Sequence, residues 1–247
     1  MHPMSELRLA MWSGPRNIST ALLRSWGARA DTFVCDEPLY AHYLQQTGLP
    51  HPGADLVMRR HETDWRKVVA WLTGPIPQGR PIFYQKHMAH HLLPDIERDW
   101  LDRLTHCFLI RDPREMLPSL LKKYPEARSV EHTGLPQQVA LFEAARRRTG
   151  ATPAVIDARD VLENPEGLLR RLCAVVGAAF TPRMLSWAPG RRETDGVWAA
   201  HWYDAVEKST GFQPYASKHE PAPADCRALL DACMAYYEPL HAQRLVS

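Results

Sequence analysis

The sequence lacks the features that mark secreted, zinc-binding or membrane-spanning proteins. Its five cysteines are an odd number and include no Cys-x-x-Cys pair, so they indicate neither a disulfide framework nor a zinc site. No apolar run reaches the length of a membrane span, and the N-terminus lacks the apolar core of a signal peptide. We therefore expect a cytoplasmic protein without a membrane span.

An excess of charge of one sign is also missing. Thirty Lys and Arg residues against 28 Asp and Glu residues give a formal net charge of +2. This is not the basic excess of a nucleic-acid-binding domain, so we expect no nucleic-acid partner. The 247 residues suffice for one large α/β domain, or two small ones, with a sizeable core.

The most informative stretch runs from Arg8 to Leu23 and reads RLAMWSGPRNISTALL. Alternating apolar residues up to Trp12 predict a short buried strand, which Ser13-Gly14-Pro15 ends. From Ile18 to Trp26 the apolar residues recur at helical spacing. At such a strand–turn–helix corner, main-chain N–H groups and the positive end of the helix dipole point outward. The turn therefore suits a bound phosphate or sulfate.

This turn differs from the Walker A pattern of nucleoside-triphosphate-binding proteins. Counting from Gly14, the chain has Ser19, Thr20 and Ala21 where the pattern has Gly-Lys-Ser/Thr, so the phosphate-binding lysine is missing. Arg16 supplies a positive charge inside the turn instead. The simpler alternative is a strand–helix corner in which Ser19 and Thr20 only cap the helix.

Strands and helices alternate along the rest of the chain. We predict strands at 32–35, 81–85, 106–110 and 154–156, helices at 65–74, 113–123, 137–148 and 165–177, and a surface excursion at 47–61. Alternation this regular predicts a parallel sheet covered by helices on both faces.

Polar residues stand at the ends of the predicted strands, and the carboxyl edge of an α/β sheet is where ligands bind. Glu37 follows the second strand. His87, His90 and His91 follow the third, but only Asp95 stands near them as a partner carboxylate, so we do not favour a metal site.

Arg111 ends the fourth predicted strand, and Ser119 follows eight positions later, two turns into the next helix. The simpler alternative for Arg111 is an ion pair with Asp112 or Glu115.

Together these segments resemble the sulfotransferases that use 3′-phosphoadenosine 5′-phosphosulfate (PAPS). The run Pro15-Arg16-Asn17-Ile18-Ser19-Thr20 is similar to the family's 5′-phosphosulfate loop, P-K/R-S-G-T/S-T, with Asn17 and Ile18 replacing the usual Ser and Gly. Arg111 and Ser119 are similar in type and spacing to the family's 3′-phosphate site. Residues 157–177 resemble a structural helix of the family.

A weaker match lies further along the chain. Arg191, Arg192, Gly196 and Trp198 align with the family's R-K-G-x-x-G-D-W-x-x-H-F segment, which closes over adenosine diphosphate, whereas Glu193 and Val197 depart from it. The simpler alternative is a solvated arginine pair beside a core tryptophan. The opening stretch also resembles bacterial and plant proteins named after branched-chain aminotransferases, although no lysine stands in a recognisable pyridoxal-phosphate context.

The resemblance implies a three-layer α/β/α fold with a central, mostly parallel sheet of the P-loop NTPase-like kind. It implies one domain over residues 1–247, with a helical C-terminal region that begins at about residue 181. The implied activity is sulfuryl transfer from PAPS, a co-substrate, to a hydroxyl or amine of a small organic acceptor, without a metal. The implied donor-binding residues are Gly14, Pro15, Arg16, Asn17, Ile18, Ser19, Thr20, Arg111, Ser119, Arg191, Arg192 and Trp198.

An alcohol acceptor also needs a base, and two candidates remain open. Glu37 resembles the glutamate base of some bacterial carbohydrate sulfotransferases. His87 follows Lys86 and is similar to the histidine of the K-T-H motif of cytosolic members, which falls two positions after the lysine, at Met88 here. We favour Glu37, whose simpler alternative is a carboxylate that pairs with Arg16 and orders the loop. Arg16 itself is expected to neutralise charge during transfer.

A second class of function stays open: a degenerate P-loop nucleotide-binding module, or a kinase-like protein, without sulfotransferase activity. A kinase needs ATP and magnesium, and the missing Walker lysine argues against it. The acceptor is not identified by the sequence. Loops 40–61, 124–136 and 195–220 are expected to line its pocket, and their aromatic residues and histidines favour a small polar molecule. These residues are Tyr40, His42, Tyr43, Tyr124, His132, Trp198, His201, Trp202, Tyr203, Phe212 and Tyr215.

Overall fold

The computed structural model describes residues 6–217 and 226–246. Its strands are β1 (Leu7–Ser13), β2 (Thr32–Asp36), β3 (Ile82–Met88), β4 (Thr105–Ile110) and β5 (Ala154–Asp157). Its helices are α1 (Ser19–Gly27), α2 (Tyr40–Thr47), α3 (Ala54–Arg60), α4 (Trp65–Thr73), α5 (Pro113–Lys123), α6 (Leu135–Thr149), α7 (Ala158–Glu163), α8 (Pro165–Val176), α9 (Ala199–Trp202), α10 (Asp204–Glu207) and α11 (Arg227–His241).

The five strands form one parallel sheet in the order β2-β3-β1-β4-β5. Parallel neighbours need crossover connections, and these place helices on both faces. Because side chains alternate along a strand, Met11 faces a core formed with α1 and α8, whereas Trp12 faces a second core formed with α4, α5, α6 and α11. The predicted α/β/α fold is therefore confirmed.

Two local predictions were wrong. The predicted excursion at 47–61 contains helix α3, whose single buried residue, Val57, leaves no periodic pattern to detect. The third strand continues past Gln85 to Met88, because β3 pairs with β1 along its whole length and Lys86 is also in register with Asp36 of β2. His87, which was predicted to follow the strand, therefore lies inside it, whereas His90 and His91 follow it.

After Phe180 the described residues contain α9, α10 and α11, together with an antiparallel bridge between Ser186 and Gly211. Residues 202–213 include several that reach the carboxyl edge of the sheet. In the described part of the chain, no helix is both long and apolar enough to cross a bilayer. A single domain over residues 1–247 stays a prediction, and residues 1–5, 218–225 and 247 lie outside the described residues.

Candidate active site

The loop between β1 and α1 has a strained backbone. Arg16 and Ile18 have φ angles of 63° and 57°, in the left-handed region that side chains rarely adopt. Ile18 thus takes, at a conformational cost, the backbone conformation that a glycine adopts freely. Backbone strain of this kind clusters at functional sites. The amide of Asn17 fixes the loop to β4 by donating to the Leu109 carbonyl over 3.3 Å.

Arg111 and Ser119 both contact this loop through Arg16. Arg111 Nη1 donates to the main-chain carbonyl of Arg16 over 2.8 Å, and Arg16 Nε donates to Ser119 Oγ over 3.0 Å. Arg111 also pairs with Glu115 at 3.2 Å, as the simpler alternative predicted, so one side chain makes both contacts. The structure therefore brings Arg111 and Ser119 to Arg16, which lies about a hundred positions earlier in the sequence.

The charges at this end of the sheet fit an anion. Arg16 is half-buried, and no carboxylate among the described residues lies within ion-pair distance of it. Burial and the neighbouring Arg111 charge both lower the pKa of the Arg16 guanidinium. Two guanidinium groups beside the N-terminus of a nine-residue helix favour a phosphate or sulfate group there.

A buried polar network lies around Lys86. Its Nζ atom donates to Asp36 Oδ1, Glu37 Oε1 and the Tyr203 hydroxyl, each over 2.7 Å, and Tyr203 donates to Asp36 Oδ2 over 2.5 Å. Lys86 is only 1% exposed. The partner of Glu37 is therefore Lys86 and not Arg16, which corrects the simpler alternative. The network also ties the segment that contains Tyr203 to the sheet.

Glu37 is a partly buried carboxylate, and its surroundings shift its pKa. Burial raises its pKa, the Lys86 charge partly lowers it, and the nearby Asp36 charge raises it further. A carboxylate with a raised pKa takes up a proton more readily at neutral pH. Glu37 also has a positive φ of 45°, a strained backbone at the carboxyl end of β2.

A cavity of about 370 Å³ connects these parts. Its lining includes Pro15 to Ala21 and Arg111, then Glu37, Lys86 and Met88, then Tyr40, Tyr43, His51, His90, His91, Tyr124 and His132, and finally Trp202, Tyr203, Val206 and Phe212. Ser119 is absent from the lining and accepts a hydrogen bond from Arg16. Four of the aromatic or histidine residues expected in an acceptor pocket, His42, Trp198, His201 and Tyr215, do not line the cavity.

His87, the second candidate base, does not line the cavity. It lies in the core on the other face of the sheet, where its ring stacks on Trp12 at 4.4 Å, and burial followed by the nearby His106 lowers its pKa to about 3. The reason is the alternation of a strand, since its neighbours Lys86 and Met88 do reach the cavity. His87 is therefore not positioned to take a proton from a molecule bound there.

The segment that resembles the adenosine-closing motif is also outside the lining. Trp198 is buried and lies against Tyr40, so its ring belongs to the core. The Arg192 side chain donates to nearby main-chain carbonyls. The main-chain N–H of Arg192 donates to the Asp195 carboxylate over 2.8 Å. Arg191 is half-exposed and lies 3.7 Å from a glutamate. A contact between the arginine pair and a donor stays a prediction.

Sequence reasoning missed several cavity residues. Lys86 belongs to the site because the pairing of β3 with β2 sets it opposite Asp36, and the sequence does not show this register. His90 and His91 stood only as a weak metal candidate. Within residues 6–217 and 226–246, no group of three or more His, Cys, Asp or Glu side chains has the arrangement of a metal site. These two histidines contact Tyr40 and Tyr43 of α2 only through packing, so no sequence signal marked them as cavity residues.

The parallel sheet, with its strand–loop–helix corner after β1, defines an α/β protein with a P-loop NTPase-like fold. The chain belongs to the sulfotransferase domain family, whose profile matches residues 7–244. The fold is shared with the sulfotransferase domain from the curacin biosynthetic pathway, at 15% identity and a TM-score of 0.56, over 99% of this chain and 100% of that one. A sulfotransferase from Alicyclobacillus acidocaldarius is similar over 98% of both chains, at 12% identity and a TM-score of 0.53.

Two curated relatives from Arabidopsis thaliana are more similar in sequence. They are branched-chain-amino-acid aminotransferase-like proteins 2 and 1, at 34% identity over 229 residues and 36% over 232 residues. Each match covers 93% of this chain but only 40% of the relative, so the chain spans about two fifths of their length. The similarity to such proteins indicated by the opening stretch is confirmed.

Proposed function

We propose that this protein transfers a sulfuryl group from PAPS to a hydroxyl or amine of a small organic acceptor. One observation carries the proposal. The guanidinium groups of Arg16 and Arg111 and the carboxylate of Glu37 line the same cavity. The cavity therefore combines a binding site for an anionic donor with a base for the acceptor.

Residues of the loop and of α5 fit the donor. The main-chain N–H groups of residues 15–20, with the hydroxyls of Ser19 and Thr20, suit the 5′-phosphosulfate. Arg111 suits the 3′-phosphate, and Ser119 orients Arg16 beside it. PAPS supplies an activated sulfuryl group when bound. Gly14 is required by the loop's packing, because a Cβ atom at this position would lie 2.2 Å from the Thr133 carbonyl oxygen.

The chain's own groups provide positioning, charge neutralisation and a base. Glu37 takes the proton of the acceptor hydroxyl, and Lys86 fixes Glu37 Oε1 so that Oε2 faces the acceptor. Arg16 and the loop N–H groups neutralise negative charge on the transferred group and on the departing phosphate oxygen. Removing one such preorganised donor commonly costs about 3 kcal/mol of transition-state stabilisation.

Aminotransferase activity is not part of the proposal, although the Arabidopsis relatives carry that word in their names. Their match with this chain leaves most of their length uncovered. A pyridoxal-phosphate enzyme needs a lysine amine that is free to form a Schiff base. The cavity lysine, Lys86, is instead held between Asp36 and Glu37, and these charges keep its pKa well above the ordinary value despite its burial.

We also propose that the protein works in the cytoplasm and without a metal. Four buried cysteines, Cys35, Cys107, Cys173 and Cys233, are thiols, which supports a reducing compartment. Arg111 stands after β4, where a Walker B protein has its magnesium-binding carboxylate, which supports transfer without magnesium. Activity that a chelator abolishes and magnesium restores would contradict this part of the proposal.

Binding and turnover measurements test the proposal. Calorimetry should detect adenosine 3′,5′-bisphosphate but not ATP with magnesium, since the Walker lysine is missing. A metabolite extract incubated with PAPS that carries labelled sulfate should yield a labelled organic product by mass detection. Bisphosphate binding without any product would favour the degenerate nucleotide-binding module, and tight ATP binding would favour a kinase-like protein.

A further inference from the structure

The donor and base leave one side of the cavity without a role. Its surface consists of tyrosine and histidine rings from α2, from the loop after it, from the turn after β3 and from the segment after α5. We call these residues the histidine–tyrosine wall: Tyr40, Tyr43, His51, His90, His91, Tyr124 and His132.

His91 is the most constrained residue of this wall. Its ring lies between the rings of Tyr40, at 4.7 Å and 6°, and Tyr43, at 4.6 Å and 29°. It is 3% exposed, and its Nδ1 atom has no hydrogen-bond partner among the described residues. A buried polar atom without a partner costs free energy, so its retention beside a cavity points to a ligand.

The geometry around His91 defines where that ligand's polar atom belongs. His91 Nδ1 lies 4.0 Å from Glu37 Oε2, which is too far for a direct hydrogen bond. An oxygen atom about 2.8 Å from both atoms fits between them at an angle of roughly 90°, within ordinary hydrogen-bond distances. A hydroxyl there donates its proton to Glu37 and accepts a hydrogen bond from His91.

His90 and His91 add no positive charge to the wall. Burial, followed by nearby imidazoles, lowers the pKa of His90 to about 3 and that of His91 well below its ordinary value. Among the described lining residues, the Lys and Arg cations are Arg16 and Arg111 on the donor side and Lys86, which is already bonded to three partners. A carboxylate on the acceptor therefore finds no free cation at the wall and meets Glu37 instead.

We propose that the histidine–tyrosine wall binds an uncharged acceptor with a flat apolar body, and that its reacting hydroxyl is held between Glu37 Oε2 and His91 Nδ1. This inference rests on the proposed sulfuryl transfer. The acceptor oxygen forms the new bond to sulfur, its proton passes to Glu37, and the bond between sulfur and the donor's phosphate oxygen breaks, releasing adenosine 3′,5′-bisphosphate. His91 is a catalytic residue in this scheme, because its N–H group touches the reacting oxygen.

Three phenols with the same body but different charge test the acceptor class. They are 4-ethylphenol, 4-hydroxyphenylacetate and tyramine, each assayed with PAPS. We expect kcat/KM for 4-ethylphenol to exceed that for 4-hydroxyphenylacetate about tenfold or more, because the anion stays unpaired at the wall. Equal or better use of either charged phenol would overturn the uncharged class.

The same assay separates this inference from the proposed function. If the bisphosphate binds and an extract supplies a sulfated product, but none of the three phenols reacts, the flat uncharged acceptor is wrong while sulfuryl transfer stands. If neither the bisphosphate binds nor any product forms, sulfuryl transfer itself fails and this inference fails with it.

Variants of His91 test its catalytic role. His91→Phe keeps a ring between the two tyrosines but removes Nδ1, and should lower kcat/KM for 4-ethylphenol about ten- to a hundredfold with bisphosphate affinity unchanged. His91→Asn, which keeps a nitrogen donor, should retain more activity than His91→Ala. His201→Asn is the matched control, since His201 does not line the cavity. Wild-type activity of His91→Phe, or equal activity of the Asn and Ala variants, would overturn the role of His91.

Discussion

Arg111 holds the loop between β1 and α1 by its main chain, because its Nη1 donates to the carbonyl oxygen of Arg16 over 2.8 Å. The remaining donors of its guanidinium reach Glu115 and the cavity. Arg111 thus supports the strained conformation of the loop, and in the proposed function it also presents a charge to the donor.

Replacing Arg111 by alanine should therefore weaken binding of adenosine 3′,5′-bisphosphate by about 2–3 kcal/mol, the range of a lost charged hydrogen bond. Calorimetry measures the dissociation constant directly. Arg114→Ala is the control, because Arg114 is an exposed arginine of the same helix that pairs with Asp112. An unchanged constant in Arg111→Ala would remove Arg111 from the donor site.

Glu37→Gln keeps the shape of the side chain and removes the base. Turnover should fall about a hundredfold or more, while bisphosphate binding holds, because the proposed role of Glu37 is to take a proton from the acceptor and not to bind the donor. Single-turnover kinetics with PAPS and calorimetry measure the two effects separately. A joint loss of stability and donor binding would instead make Glu37 a structural partner of Lys86.

Ile18→Gly should change the free energy of unfolding by no more than about 1 kcal/mol. Relief of the left-handed strain, about 1–2 kcal/mol, offsets the lost contacts of a half-buried side chain and the greater chain entropy of glycine. Bisphosphate affinity should not fall. The comparison is Leu22→Ala in the next turn. Leu22 is fully buried, so this variant should lower the free energy of unfolding by about 2–5 kcal/mol in the same urea titration. Equal costs would show that contacts of Ile18 outweigh its strain.

Tyr203→Phe tests the network around Lys86. The variant removes the hydroxyl that accepts from Lys86 and donates to Asp36, and leaves both buried groups short of a partner. The free energy of unfolding should fall by about 1–3 kcal/mol. Urea unfolding gives the number, and an unchanged midpoint would mean that water replaces the hydroxyl.

Asp157 should make the stability depend on pH. Burial raises its pKa from 3.8 to about 6, although the Arg159 N–H and the Tyr237 hydroxyl donate to it. Because the folded state then binds more protons than the unfolded state, stability should fall as the pH rises from about 4 to 6. Asp157→Asn should flatten this window and gain about 1–3 kcal/mol at pH 8. Thermal unfolding at several pH values checks the slope, and equal slopes in both proteins would contradict the assignment.

Local patterns were enough to predict most of the scaffold. The helix over 165–177 carries its own start and stop residues, Asn164 and Gly177, and the structure has it at Pro165–Val176. The strands before Gly14 and Arg111 are apolar and short, and both are present. These features depend on neighbours in the chain, so their prediction needed no knowledge of the sheet.

The composition of the site was less accessible, because two residues of one strand can face opposite sides of the sheet. His87 and Lys86 are adjacent in the sequence, but one ring lies in the core against Trp12 and the other side chain reaches Glu37. An error in the end of the strand, at Gln85 in place of Met88, was enough to hide this difference.

The sequence by itself determined the alternation of strands and helices, the loop with Arg16, and the family to which the chain belongs, since each rests on residue types at fixed spacing. Only the tertiary structure decided which distant groups meet. Strand register set Lys86 beside Asp36, and packing of the turn after β3 against α2 set His91 between two tyrosines, 4.0 Å from Glu37. Contacts of this kind depend on the packing of separate elements, which no local pattern encodes.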